Sequence, residues 1–347
     1  MRVLIIKLSA FGDIIHSLSV IDCLNEYSRL YNKEVELHWL VEKKWAPILR
    51  HHENIDKLII SNTKGWRKSI LSRETRDEFF SFWKDLRGKE YDLVIDINGL
   101  LRSAVIARLT KAKNRVGFSE DSDFCREKYC SLFLDNTYDI PRGHVIDQTV
   151  GLMERVLDIK MPDIINPALP LNESGSKKAR EILADNNLEP HRFAIIAAGG
   201  GWETKLLDAG SIASFCDKVA GYDIVPVLAY YGIEEGERAG EVSAAAKAGV
   251  KSLSDLPVDT FIEIMRLSRL VIGPDTGTVH ASSAVMTPTV SYYGPSSGDY
   301  SGPRRETDRV VQISPECGPC FKRSCENGLC SELEINKILD AIDEQLG

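Results

Sequence analysis

Val3-Leu4-Ile5-Ile6-Lys7-Leu8-Ser9-Ala10-Phe11-Gly12-Asp13-Ile14-Ile15-His16 opens on an unbroken apolar run, turns at a glycine and continues with helical spacing. A run this short, apolar at successive positions, reads as a strand buried on both faces, which is the habit of parallel sheets. A strand that feeds a helix through a glycine turn is the first half of a βαβ unit.

The same alternation continues outward. Glu34–Val41 and Leu93–Ile97 read as further strands, and Trp66–Lys89 between them reads as an amphipathic excursion. There Arg67, Lys68, Arg73 and Arg76 are mixed with Phe79, Phe80, Phe82 and Trp83. From Met161 to Gly175 the chain turns rich in Pro and Asn, as an interdomain linker does. A second series follows at Phe193–Ala197, Ile224–Ala229, Leu270–Ile272 and Thr289–Tyr293, each strand running into a turn that contains glycine. The expected architecture is α/β, with two Rossmann-like doubly wound domains at 1–165 and 166–347. A length of 347 residues, above the size at which one core stops growing, agrees with two. The final helix-like run from Glu332 is expected to pack back on the first domain.

Apolar residues at 43% and charged residues at 27% describe a chain that folds throughout. A formal charge of −8 speaks against nucleic acid as a partner, because phosphate neutralisation needs a basic footprint. No apolar stretch approaches the roughly 20 residues of a transmembrane helix, and no export signal is visible, so a cytoplasmic location is expected.

In open parallel sheets the chemistry follows the strands. After the first strand, Gly12 frees the backbone and Asp13 stands at a helix start. It either caps that helix or faces a crevice. After Phe193–Ala197 come Gly199-Gly200-Gly201-Trp202 and then Lys205, a close-approach backbone followed by a cation. This suits a phosphate or, equally, a solvent loop. Gly273-Pro274-Asp275-Thr276-Gly277-Thr278-Val279-His280 is the strongest local signal. Its amides at a helix N-terminus suit a pyrophosphate, with His280 one turn on, either touching the ligand or satisfied locally. Glu234, Glu235 and Glu237 follow another strand, either as a ribose contact or as helix-dipole charges.

Neither a Walker motif nor a Gly-x-Ser-x-Gly elbow is present, and no His/Asp/Glu group has catalytic-metal spacing. Cys317, Cys320, Cys325 and Cys330 are dense enough for a structural metal, although their spacing departs from the zinc ribbon and a reduced cysteine-lined loop is the alternative.

Together Lys7–His16, Gly273–His280 and Tyr293-Gly294-Pro295 resemble glycosyltransferase family 9, the bacterial heptosyltransferases. Trp66-Arg67-Lys68, Asp96–Ser103, Arg126-Glu127 and His144 look most like heptosyltransferase I, which adds the first heptose. The Cys317–Cys325 segment looks like heptosyltransferase II, which adds the second. The resemblance implies a GT-B fold, with acceptor on the N-terminal side of a cleft and donor on the C-terminal side. It also implies inverting transfer of heptose from ADP-L-glycero-D-manno-heptose to the Kdo-lipid A inner core of lipopolysaccharide, with no cofactor or divalent metal. Asp13 then acts as general base and Lys205 stabilises the leaving group. Gly12, Gly200, Thr204, Lys205, Glu235, Asp275, Thr276, Gly277 and His280 fall on the donor side. Arg67, Lys68, Asn98, Arg102, Arg126 and His144 fall on the acceptor side. An enzyme of this kind works peripherally at the inner face of the inner membrane. Alternatives are transfer to an already heptosylated core, a nucleotide-sugar epimerase of the same architecture, and a non-catalytic sugar-nucleotide binder. Acceptor dependence separates a transferase from an epimerase.

Overall fold

The computed structural model describes residues 1–69, 72–122, 124–313, 317–326 and 334–347. The chain divides into two compact units, Met1–Pro167 and Ala168–Gly347.

Strands of the first unit, in chain order, are β1 (Arg2–Ile6), β2 (Glu36–Glu42), β3 (Lys57–Ser61), β4 (Glu90–Tyr91), β5 (Leu93–Asp96), β6 (Lys111–Ala112), β7 (Arg115–Phe118) and β8 (Asn136–Tyr138). Six of them form one parallel sheet in the order β3-β2-β1-β5-β7-β8, while β4 and β6 pair apart from it. Strands of the second unit are β9 (Phe193–Ala197), β10 (Val225–Tyr230), β11 (Lys251–Ser254), β12 (Leu270–Pro274), β13 (Thr289–Tyr293) and β14 (Asp308–Gln312). They pair in the order β11-β10-β9-β12-β13-β14, again all parallel. Each sheet therefore has the doubly wound order 3-2-1-4-5-6.

The central strands are apolar on both faces because helices cover both. Leu4, Ile6, Leu40, Ile59 and Val94 make the core of the first unit, and Ala194, Ile196, Leu228, Ile272 and Val290 that of the second. The edge strands β8, β11 and β14 lack such a run, which is why periodicity alone passes over them.

Three expectations need correction. The excursion at 66–89 is partly core: its helix Arg73–Arg87, capped by Ser72 Oγ accepting from Thr75 N, buries Phe82 and Leu86 against the first sheet. The run taken as linker also contains Asn172, whose side chain accepts from Gly175 N and starts the helix Glu173–Asp185. The last helix, Ile335–Leu346, belongs to the second unit. Ile338, Ala341 and Ile342 form an i, i+3, i+4 stripe that enters that unit's own core, so its apolar face is already satisfied there.

Candidate functional site

In each sheet the strand order reverses once, and open α/β sheets bind ligands beyond the carboxyl ends of the strands at that point. In the first unit the reversal falls between β1 and β5. The turns that follow them are tied together: Lys7 Nζ donates to Ile97 O at 3.1 Å, and Leu8 N donates to Asn98 Oδ1 at 3.0 Å. Asp96, at the end of β5, is buried and accepts from Asn98 N and Ser103 Oγ, both at 2.9 Å. Burial pushes its carboxyl up to about 6, against the pull of those two bonds and of Lys7. Burial likewise lowers Lys7, partly offset by the charge of Asp13. Gly99 has φ +65°, and a Cβ there would stand 1.8 Å from Phe124 O, so only glycine fits. Its carbonyl accepts from Arg126 N at 2.9 Å and seats that arginine.

Asp13 fastens its helix start and also keeps part of its carboxylate open to solvent. Its Oδ2 accepts from Ala10 N at 3.1 Å, fastening the start of the helix Phe11–Ser17, and lies 3.6 Å from Arg126 Nη2. The carboxylate keeps 25% of its surface open to solvent. A capping aspartate is thus also a carboxylate presented beyond the end of β1.

The six residues expected on the acceptor side take four different positions. Arg126 sits beside Asp13, and Arg102 Nη2 reaches Ser9 Oγ in the same turn at 3.4 Å. Arg67 and Lys68 are the exposed last residues of the helix Thr63–Lys68. Asn98 is buried beneath the turns as a brace. His144 caps its helix by accepting from Ile146 N at 3.2 Å, with its ring edge-on to His16 at 6.3 Å. Gly12, expected on the donor side, lies in the Asp13 turn of the first unit.

In the second unit the reversal falls between β9 and β12. Lys205 Nζ donates to Asp275 Oδ2 at 2.6 Å and to Asp275 O at 2.8 Å, and stands 4.2 Å from the centre of the Trp202 ring. His280 Nε2 lies 3.1 Å from the other oxygen of the same carboxylate, and Ser301 Oγ donates to that oxygen at 3.4 Å. Burial alone would raise the Asp275 carboxyl, yet His280 and Lys205 hold it well below the usual carboxylate range. Asp275 is therefore a fixed anion that aims a lysine and a histidine. A phosphate would meet those two groups and the amides that open the helix Gly277–Ala284, where the cap residue Thr276 makes no side-chain cap bond and, among the described residues, keeps a buried Oγ1 without a partner.

Among the three glutamates the structure singles out Glu235. Its carboxylate accepts from Tyr231 N at 2.8 Å and fills the space above Gly199, where a Cβ would meet it at 2.2 Å, whereas Glu234 and Glu237 are exposed. It also lines a cavity of about 70 Å³ with Tyr230, Tyr231, Leu253, Phe261 and Thr278. Gly200 packs toward Pro274 and Thr276, which brings the two loops together. Thr204 Oγ1 donates to Lys322 O at 2.6 Å and so ties its loop to the cysteine segment.

Of that segment, Cys317, Cys320 and Cys325 are free thiols, and Cys330 lies outside the described residues. Among the described residues no three His, Cys, Asp or Glu side chains gather as a metal set. Sequence reasoning passed over Lys7, Asp96, Ser103 and Trp202 as site residues. A lysine and an aspartate at the ends of otherwise apolar strands were the available signal for the first two. Ser103 and Trp202 lie within quoted stretches, but residue type alone did not say that one would donate to the Asp96 carboxylate and the other would lie under Lys205.

Two units with repeated doubly wound order, each carrying polar groups at its reversal point, belong to the GT-B fold class. The profile of glycosyltransferase family 9 (heptosyltransferase) matches residues 79–330, and the chain belongs to that family. Within it the chain is similar to lipopolysaccharide heptosyltransferase 1 of Pseudomonas aeruginosa, 28% identical over 94% of this chain and 87% of the relative. It is also similar to the enzyme of that name from Escherichia coli K12, 25% identical over 91% and 95% of the two chains. The fold matches the structure of E. coli heptosyltransferase WaaC with ADP at a TM-score of 0.79, with 24% identity, covering 99% of this chain and 100% of that one. A UDP-GlcNAc 2-epimerase from Methanocaldococcus jannaschii shares the fold at a TM-score of 0.51 and 12% identity, and family membership sets the epimerase alternative aside.

Proposed function

We propose that the protein transfers heptose from ADP-L-glycero-D-manno-heptose to the Kdo-lipid A inner core of lipopolysaccharide, with inversion at the anomeric carbon. The observation that carries this reading is the Lys205–Asp275–His280 cluster at the start of the helix Gly277–Ala284. One carboxylate there orients a lysine and a histidine beside the amides of a helix N-terminus, an arrangement of donors that suits a leaving diphosphate. Relatives named lipopolysaccharide heptosyltransferase 1 support the sugar and the acceptor. A related structure named as holding ADP-2-deoxy-2-fluoro heptose supports the donor.

An acceptor hydroxyl oxygen attacks the anomeric carbon from the face opposite the diphosphate. The new C–O bond forms as the bond to the β-phosphate oxygen breaks, ADP departs, and the hydroxyl proton passes to Asp13. Reach comes before basicity in such a transfer, and the Asp13 carboxylate is the one presented at the end of β1. Lys205 and the helix amides take up the charge growing on ADP, a role that a divalent cation fills in many other transferases. Glu235 is placed for the ribose hydroxyls. Arg67, Lys68, Arg102 and Arg126 suit the carboxylates and phosphates of the acceptor. With an acceptor of this kind the enzyme works peripherally at the inner face of the inner membrane.

A second reading, transfer to an already heptosylated core, is favoured by one feature only, the Cys317–Cys325 segment. Incubation with ADP-heptose and either Kdo-lipid A or its monoheptosylated form, followed by mass spectrometry, tests both. A single heptose added to Kdo-lipid A is expected. Addition only to the monoheptosylated form supports the second reading, and alteration of the sugar nucleotide without acceptor overturns both. Saturating EDTA is expected to leave the rate unchanged.

A further inference from the structure

The helix Arg73–Arg87 is anchored by Phe82 and Leu86, and it carries a second stripe whose two phenylalanines stay largely exposed. Thr75, Arg76, Phe79 and Phe80 follow at i, i+1, i+4 and i+5, and Phe79 and Phe80 remain 45% and 68% exposed. Leaving phenylalanines in water forgoes about 1.5–3 kcal/mol for each fully buried side chain, so a paired exposure beside a cavity calls for an occupant. The aromatic wall is ordered: Trp66 meets Phe79 edge-on at 5.5 Å, and Phe79 stacks on Trp83 at 6.3 Å.

Trp66, Phe79 and Phe80 line a cavity of about 450 Å³ together with Arg67, Arg76 and Arg102. That volume falls within the roughly 300–1,000 Å³ of small-ligand sites. Among the described residues Arg102 has a buried Nε without a hydrogen-bond partner. Its guanidinium makes only long contacts, to Ser9 Oγ at 3.4 Å and Glu42 Oε1 at 4.0 Å, so it retains capacity for an anion. Ser9 belongs to the turn that ends at Asp13. Arg102 thus links the lining of the cavity to the turn that carries the candidate base, and three arginines share that lining with the aromatic wall.

Hydrocarbon joined to anionic groups matches that lining, apolar surface to aromatic rings and negative charge to guanidinium. We propose that this cavity is an acceptor subsite for the acyl chains of a phosphorylated glycolipid. The hydrocarbon lies on Trp66, Phe79 and Phe80, and Arg67, Arg76 and Arg102 take the anionic groups between chain and sugar. A concave site with arginines inside it fits one lipid molecule better than a bilayer face, which meets a convex surface. The inference rests on the lipid-acceptor reading above.

The test compares apparent KM for Kdo-lipid A and for the same molecule stripped of its acyl chains, in the wild-type enzyme and in Phe79→Ser/Phe80→Ser. The wild type is expected to favour the acylated acceptor by about tenfold or more. The variant is expected to lose that preference while keeping its kcat on the deacylated acceptor and its affinity for ADP. If the double variant fails to fold by circular dichroism, Phe80→Ser alone, at the more exposed position, is expected to lose part of the preference. An acyl preference absent in the wild type, or intact in the variants, overturns the proposal. So does an intact preference accompanied by lost binding to phosphatidylcholine–phosphatidylglycerol vesicles, which would give the patch to the bilayer. If the wild type transfers to neither acceptor, the underlying functional reading has failed instead.

Discussion

The reversal points of the two sheets occupy the same topological position and each carries a lysine and an aspartate at a strand end or in the loop beyond it, yet they are wired in opposite senses. In the first unit Lys7 and Asp96 are both buried and spend their hydrogen bonds on bracing the turns, Lys7 on Ile97 O and Asp96 on Asn98 N and Ser103 Oγ. A third group, Asp13, is left to face outward beside Arg126. In the second unit Lys205 and Asp275 join each other at 2.6 Å, and His280 completes the cluster. One point thus presents a carboxylate toward solvent, and the other uses an ionised carboxylate to orient a lysine and a histidine. Position in the sheet determines where chemistry is placed, and side-chain pairing determines its sign.

The largest expected effect breaks the carboxylate half alone. Asp13→Asn should cut transfer by about 100- to 10,000-fold, the usual cost of losing a general base. Calorimetric titration should find ADP affinity unchanged, because the proposal assigns ADP to the other unit. Near-normal turnover would return Asp13 to the role of helix cap.

Breaking the other half should damage stability as well as binding. Asp275→Asn leaves Lys205 without its counter-charge in a site where the lysine and aspartate side chains are 11% and 12% exposed. Removing one partner of such a pair costs about 3–5 kcal/mol. Denaturant titration reads the loss directly, and ADP binding should weaken with it. A fully stable variant would show that the cluster does not depend on that carboxylate.

The buried carboxylate Asp96 sharpens the contrast through pH. Its folded value of about 6 lies above the unfolded value of 3.8. Between these values the folded state holds a proton that the unfolded state has released, so stability falls as pH rises through the window and levels off above it. The two-unit gap corresponds to about 3 kcal/mol. Asp96→Asn should therefore gain on the wild type between pH 4 and pH 6 in thermal melts. A constant difference across that range would mean that Asp96 is ionised throughout.

The smallest effect concerns exposed cations. Arg67→Ala with Lys68→Ala should raise the acceptor KM several-fold, worth about 1 kcal/mol, and less at high salt because exposed charges are screened. ADP affinity should stay as it was. Loss of ADP binding in this variant would reverse the assignment of donor and acceptor to the two units.

By itself the amino-acid sequence determined the parallel sheets, because strands buried on both faces must be apolar throughout, as Val3–Ile6 and Phe193–Ala197 are. It also placed Asp13, Lys205, Asp275 and His280, since glycine turns and helix starts are local and leave their mark within a dozen residues. It left Asp13 divided between two roles, and the choice among Glu234, Glu235 and Glu237 open. What these side chains touch was decided only by the tertiary structure. A cap and an exposed carboxylate are compatible once a helix start is seen at a strand end. Glu235 is distinguished by its fit over Gly199, 36 positions away. The same is true of the Trp66, Phe79, Phe80 and Arg102 cavity and of Lys7 beneath its turn. Burial and pairing are relations between distant residues, and a local pattern of residue types carries no record of which distant partner will fill the space beside it.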